Sequence, residues 1–300
     1  MNVLVTGASG FVGSALVPFL TRAGHHVIPL RRGGRNGAPS PSAPHWNPAA
    51  NQIDLGPGAL DCVIHLAGEN IAQRWRAEAK KRIRESRVDA TRLLSTALAR
   101  LPNKPRALLC ASAVGIYGNR GDERLTESSP PGTGFLAELC QEWEAAARPA
   151  FEAGIRVVHL RFGVLLDPSG GALKNMLPPF RAGVGGRLGS GEQFISWATR
   201  EDAVRAVEHA LNANELRGPV NVVSPHPVPN AEFTKTLARL LGRPAILPMP
   251  AFFLRLLAGE MADEALLASA RVVPERLEQS GFRFEGPELE PALRKLLERH

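Results

Sequence analysis

The chain reads as an α/β protein built on a doubly wound parallel sheet, with a small, mostly helical C-terminal subdomain. Three observations predict it. Short apolar or β-branched runs of strand length recur as far as Val223, amphipathic helical patterns separate most of them, and beyond Pro244 the pattern turns helical alone. With 300 residues and 44% hydrophobic content, there is enough chain for one large core and an appended lobe.

The strands expected are Asn2 to Thr6, His26 to Leu30, Cys62 to Leu66, Ala107 to Ala111, Arg156 to Leu160 and Val220 to Val223. Near-continuous apolar runs suit parallel strands covered on both faces. Helices are expected at Phe11 to Ala23, Arg76 to Arg100, Gly134 to Ala153, Glu201 to Asn212 and Ala231 to Leu241. Right-handed crossovers then follow. The stretch from Gly33 to Pro57, rich in Gly, Pro, Ser and Asn, predicts a surface loop. An apolar helical stretch from Ala251 to Val272 and an amphipathic helix from Glu288 to Arg299 complete the chain.

Charge narrows the function classes only slightly. The net charge of +7 suits a polyanion partner or a phosphate-bearing small molecule equally. Eleven Lys or Arg between Arg74 and Arg106 face only Glu78, Glu85 and Asp89, which reads first as a solvated helix face. No aromatic stacking platform accompanies them, so no nucleic-acid partner is expected. Cys62, Cys110 and Cys140 have neither C-x-x-C spacing nor an even count, and no His, Asp or Glu cluster has ligand spacing, so neither disulfides nor a metal are expected. The chain enters a strand at once and contains no 18-residue apolar run, which predicts a cytoplasmic protein with no membrane partner.

Val3 to Gly13 carries the most chemistry. A strand runs into a turn with Gly7, Gly10 and Gly13, interleaved with Ser9, Phe11 and Val12, and then into a helix. Glycine permits the tight turn, lets backbone N–H groups approach a pyrophosphate and allows helix and strand to pack closely, while the helix N-terminus supplies partial positive charge. The pattern therefore predicts an NAD(P)-binding Rossmann fold. An NAD-preferring site places an acidic residue at the end of the second strand, yet the first acidic residue here is Asp54. Arg31 and Arg32 stand there instead and suit a 2′-phosphate, so NADP(H) is the expected cofactor.

From Met1 to about Leu241 the chain resembles the extended short-chain dehydrogenase/reductases, the NAD(P)-dependent epimerase/dehydratase family. The likeness rests on the Gly turn, Val63-Ile-His-Leu-Ala-Gly68, Ala111-Ser-Ala-Val-Gly-Ile-Tyr-Gly118, Arg161-Phe-Gly-Val-Leu165 and Gly189-Ser-Gly-Glu-Gln-Phe-Ile-Ser-Trp197. Gly68-Glu-Asn70, Arg74-Trp75, Ser86-Arg87, the Phe135 to Glu144 segment and Gly170-Gly-Ala-Leu173 resemble an atypical, uncharacterised subgroup with its own C-terminal domain of unknown function. The resemblance implies a binding domain over residues 1–241, a C-terminal domain over 242–300, and cofactor contacts from Leu66, Ala67, Gly68, Ala111 and Leu165. It also implies Arg87, and less strongly Arg82, as cofactor contacts from the basic helix.

The same resemblance exposes a departure. The family uses a Tyr as general acid/base with a Lys four residues later, whose charge lowers the phenol pKa. The one tyrosine, Tyr117, is followed at the fourth position by Gly121, and Phe135, Leu139 and Ala113 align with the family's Tyr, Lys and Ser/Thr. Ser112, Tyr117 and Glu138 remain as candidate proton donors. Trp143 and Trp197 are candidates for the substrate cleft or for the core, and His65 and Cys140 read as packed residues. The expected activity is that of an oxidoreductase or epimerase on an unidentified small molecule, the alternative being a non-catalytic NADP(H)-binding sensor or interaction module.

Overall fold

A computed structural model of the chain describes residues 1–33 and 43–298. Its first half comprises β1 (Asn2–Thr6), α1 (Gly13–Arg22), β2 (His26–Arg32), β3 (His45–Asn47), β4 (Gln52–Asp54), β5 (Cys62–His65), α2 (Ala77–Glu85), α3 (Val88–Ala99), β6 (Ala107–Ala113), β7 (Arg124–Leu125), α4 (Phe135–Ala145) and α5 (Arg148–Glu152). There follow β8 (Arg156–Phe162), β9 (Val164–Asp167), α6 (Gly171–Arg181), β10 (Phe194–Ile195), β11 (Trp197–Thr199), α7 (Arg200–Asn212), β12 (Gly218–Val222), β13 (Val228–Pro229) and α8 (Asn230–Leu240). The C-terminal part holds α9 (Ala251–Ala258), a wider turn at Ala262–Leu266, β14 (Arg271–Val272), α10 (Glu275–Gln279) and α11 (Leu289–Glu298).

Eight strands form one sheet in the order β12, β8, β6, β5, β1, β2, β3, β4. All neighbours pair in parallel except β3 with β4. Side chains alternate between the two faces as strand geometry requires. Val3, Val5, Ile64, Leu109 and Val158 pack with Leu16 and Leu20 of α1 and with α7, whereas Leu4, Val63, Leu108 and Val157 pack with Leu94 and Leu98 of α3. The chain order reverses between β1 and β5, so the ligand crevice of such a sheet opens beyond their carboxyl ends.

Four expected segments differ in form. The basic helix breaks at Ser86 and Arg87, where the Ser86 hydroxyl donates to the Ile83 carbonyl and accepts from the Glu69 amide. The helix from Gly134 divides after Ala145, and Pro149, which has no amide hydrogen, sits in the first turn of α5. The stretch from Ala251 to Val272 is not one helix: Gly259, at φ +63°, ends α9, and Arg271–Val272 pairs with β7 instead. The expected loop from Gly33 to Pro57 contains β3 and β4, anchored by Trp46, which is 1% exposed; its residues 34–42 lie outside those described.

The C-terminal elements pack into the larger body. Leu289, Leu293 and Leu296 of α11 join Leu173, Leu177 and Phe180 of α6 and Phe233 and Leu237 of α8 in one cluster. Among the described residues no helix is long and apolar enough to cross a membrane.

Candidate functional site

The crevice begins at the turn after β1. Gly7 holds φ +67°, and a Cβ there would lie 2.8 Å from the Leu66 carbonyl carbon. A Cβ on Gly13 would lie 2.8 Å from the Ala8 Cα and closer still to the Gly7 carbonyl oxygen. Both positions exclude every other residue, so helix and turn approach β5 as closely as backbones can. Gly10 closes the turn by donating to Gly7 O at 2.9 Å. No side chain caps α1, no acidic residue occupies its first turn, and Ser9 and Gly10 are exposed. Its first N–H groups and the positive end of its dipole are therefore available to an anion.

Buried hydrogen bonds fix the crevice floor. Thr6 Oγ1 accepts from the amides of Leu66 and Ala67 at 3.1 and 3.2 Å and meets His65 Nδ1 at 2.7 Å. With both its lone pairs engaged, Thr6 gives its hydrogen to Nδ1, which leaves Nε2 as the protonated nitrogen. Nε2 donates to Thr91 Oγ1 at 2.9 Å, and Trp143 Nε1 donates to the same oxygen at 2.9 Å. Burial pushes the His65 pKa down to about 4, so the imidazole is a neutral packed group, as its strand position suggested.

The other expected contact residues surround this floor. Arg31 and Arg32 end β2, are exposed, and register against His45 and Trp46. Gly68 faces the Arg87 guanidinium, 3.3 Å from where its Cβ would be, and Arg87 donates to Glu69 O at 2.9 Å. Arg87 also stacks 5.1 Å above the Trp143 ring, and burial pulls its pKa down. Arg82 lies in the same neighbourhood, donating to Gln73 at 3.2 Å. Ala111 lies near the carboxyl end of β6, one residue past the last pair with β5 and registered against Leu160 of β8, while Leu165 and Val12 both pack at the edge of the α1 cluster. Phe11 is covered by Gly170 and Gly171, whose Cβ atoms would collide with its ring.

Ser112 and Tyr117 are drawn into one buried network that spacing alone did not disclose. The Ser112 hydroxyl donates to Glu144 Oε1 at 2.8 Å, and Arg161 grips both Glu144 oxygens at 2.7 and 2.8 Å. Arg161 also donates to Tyr117 Oη at 2.9 Å, and that hydroxyl donates to Asn221 Oδ1 at 2.8 Å. Burial would raise the Glu144 pKa, but the Arg161 hydrogen bonds and the charges of His159 and Arg161 bring it below the ordinary carboxylate range. Burial raises the Tyr117 pKa against the opposing pull of Arg161. Tyr117 is fully enclosed, Ser112 is 3% exposed, and Glu138 lies on the exposed side of α4.

Phe135 and Leu139 are buried beside Trp75, Ile83, Ala111 and Trp143. Trp143 and Trp197 both belong to the core, and burial pushes the Cys140 thiol up to about 12. Above Phe135 lies the C-terminal part: Glu264 accepts from the Phe135 and Leu136 amides at 2.9 and 2.8 Å, capping α4. Gly134, at φ +102°, leaves room for that carboxylate. Lys80, 4.7 Å above the Phe135 ring, binds Glu260. Glu144, Asn221 and Glu264 were not proposed as site residues from the sequence, and Arg161 entered only as the first residue of a family segment. An arginine and an asparagine within apolar strand runs were the available signal for two of them.

Residues 3–223 match the NAD dependent epimerase/dehydratase family, and residues 249–296 match a domain of unknown function, DUF1731. Epimerase family protein Mb2239 of Mycobacterium bovis is 46% identical over 94% of this chain and 93% of its own. Epimerase family protein SDR39U1 of Homo sapiens is 36% identical over 99% of this chain and 100% of its own. A crystal structure of human SDR39U1 (isoform2) with NADPH superposes with a TM-score of 0.90, 35% identity and full coverage of both chains. The family match over most of the chain and these full-length similarities make this chain a member of the NAD dependent epimerase/dehydratase family, of the kind that carries a DUF1731 region at its C-terminus.

Proposed function

We propose that the chain binds NADP(H) in the crevice beyond β1 and β5 and works as an oxidoreductase or epimerase on a small molecule. The observation that carries the reading is the uncapped α1 N-terminus, which the bare Gly7 and Gly13 let approach the end of β5 and whose first N–H groups are open to a pyrophosphate. Arg31 and Arg32 add two exposed cations at the end of β2, where a 2′-phosphate would lie. The NADPH of the human relative's crystal structure supports the same cofactor. When bound, such a cofactor supplies hydride-transfer chemistry.

The chain's own residues then hold and orient the cofactor rather than activate a phenol. Phe135 has no exchangeable proton, and Tyr117 already uses its hydroxyl within the core. Ser112, at the carboxyl end of β6 with a buried carboxylate behind it, is the proton-bearing group this reading retains. Residues 1–241 would form the binding domain and 242–300 the domain that closes over it.

Purified protein mixed with NADPH and a panel of aldehydes, ketones and nucleotide sugars tests the reading. Turnover that Ser112→Ala abolishes while NADPH binding persists supports an enzyme. Tight NADPH binding without turnover on any class favours the sensor reading, which the apolar Phe135 and Leu139 already recommend. No binding of either dinucleotide overturns both.

A further inference from the structure

Helix α9 has its polarity reversed. Leu254 is buried, whereas Phe252, Phe253, Leu256 and Leu257 are 61%, 47%, 65% and 67% exposed. At about 100° per residue these four span one continuous arc, so the solvent side of the helix is the apolar side. The segment leading into it adds Ile246 at 79% and Leu247 at 55% exposure. From Arg243 to Ala258 the only charged residues are Arg243 and Arg255. Monomeric soluble proteins seldom leave such a contiguous patch uncovered.

The charged residues lining the cavity beside this face are all basic. Ile246 also lines this cavity of about 570 Å³ between α8 and the 243–248 segment, whose walls carry Arg187, Lys235, Arg239 and Arg243. Arg239 is paired with Glu290. Among the described residues, Arg187, Lys235 and Arg243 are exposed and have no acidic partner within ion-pair distance. A two-fold contact centred here would set this cationic lining against its own copy. An anionic surface with an apolar interior meets both features at once.

We propose that α9 and its basic flank dock the protein on an anionic lipid bilayer, the apolar arc entering the headgroup boundary and Arg187, Lys235 and Arg243 facing the phosphates. Lying on a bilayer requires no spanning helix, which is why the absence of a long apolar run, and the expectation of no membrane partner drawn from it, did not disclose this face.

The test is co-sedimentation of the full chain with vesicles of phosphatidylcholine alone and of phosphatidylcholine mixed with phosphatidylglycerol. The protein is expected to pellet with the mixed vesicles, to be released by salt, and to remain in solution with the neutral ones. Phe252→Glu with Leu256→Glu should weaken partitioning at least about tenfold, and Lys235→Glu with Arg243→Glu by roughly fivefold or more per cation. All four positions are exposed, and an unchanged melting transition verifies folding of each variant. Failure of the wild-type chain to pellet with mixed vesicles overturns the proposal, as does undiminished binding by the Phe252→Glu, Leu256→Glu variant. A concentration-dependent dimer in sedimentation velocity, abolished by that variant and unaccompanied by vesicle binding, also overturns it and identifies a second copy as the occupant.

Discussion

The turn between Thr6 and Gly13 and the N-terminal end of α4 both stand at the carboxyl edge of the sheet, yet they are built on opposite principles. The first leaves its helix end uncapped and removes side chains so that turn, helix and the end of β5 pack backbone to backbone. The second covers its helix end with Glu264 and fills the neighbouring space with Phe135, Trp75 and Leu139. One helix end is left open; the other is closed by a carboxylate of the chain itself. On the proposed reading, cofactor binding and proton transfer are separable in this architecture: the turn serves the first, while Phe135 and Leu139 pack where the resemblance aligns the family's Tyr and Lys.

The contrast breaks most completely at Gly13. Gly13→Ala should lower NADPH affinity by at least about a hundredfold, since the added Cβ pushes α1 away from the turn, and fluorescence titration reads it directly. Affinity within twofold of wild type would mean that the cradle is not the binding element.

For folding, the largest loss is expected from Glu144→Ala, which strands the Arg161 guanidinium, 8% exposed, without its partner. Breaking such a buried pair destabilises a fold by about 3–5 kcal/mol. Urea denaturation measures the loss. Because the Glu144 pKa is depressed in the folded chain, its contribution is complete above the ordinary carboxylate pKa and disappears as pH falls through the folded value. The stability gap between wild type and variant should therefore narrow in acid, and a gap that widens there would contradict the network. Glu127, whose pKa burial raises, acts in the opposite direction: its contribution weakens as pH climbs through the folded value.

Glu264→Ala should have the smallest effect, about 1 kcal/mol for the lost cap on α4, measurable as a lower thermal midpoint. Hydrogen exchange at Phe135 and Leu136 should rise in the variant if the C-terminal part holds that helix end. Unaltered exchange would detach the two regions.

Much of the fold was legible because the buried strands carry their signal locally. Val3 to Thr6, Cys62 to His65 and Ala107 to Ala113 are apolar runs whose burial needs no distant information. The helix α6 was missed because Pro178 and Pro179 mask the stripe of Leu173, Leu177 and Phe180. Strands β3 and β4 were missed because three-residue edge segments depend on Trp46 reaching the core, a tertiary event. The candidate site divides the same way. Glycines at fixed spacing announce the turn, but nothing near Glu144 in sequence points to Ser112 and Arg161, which lie 32 and 17 residues away and meet it only when strands align. Glu264, 129 residues from Phe135, is more distant still.

The turn and the two arginines at the end of β2 are proposed to form a phosphate-selective dinucleotide site beside a position that Phe135 and Leu139 fill with packing. Calorimetric titration of the wild-type chain and the Arg31→Asp, Arg32→Asp variant with NADPH and with NADH measures it most directly. Wild type is expected to prefer NADPH by about tenfold or more, from charge-assisted bonds to the 2′-phosphate, and the variant to lose this preference while still binding NADH. Equal affinity of wild type for both dinucleotides, unchanged in the variant, would contradict it.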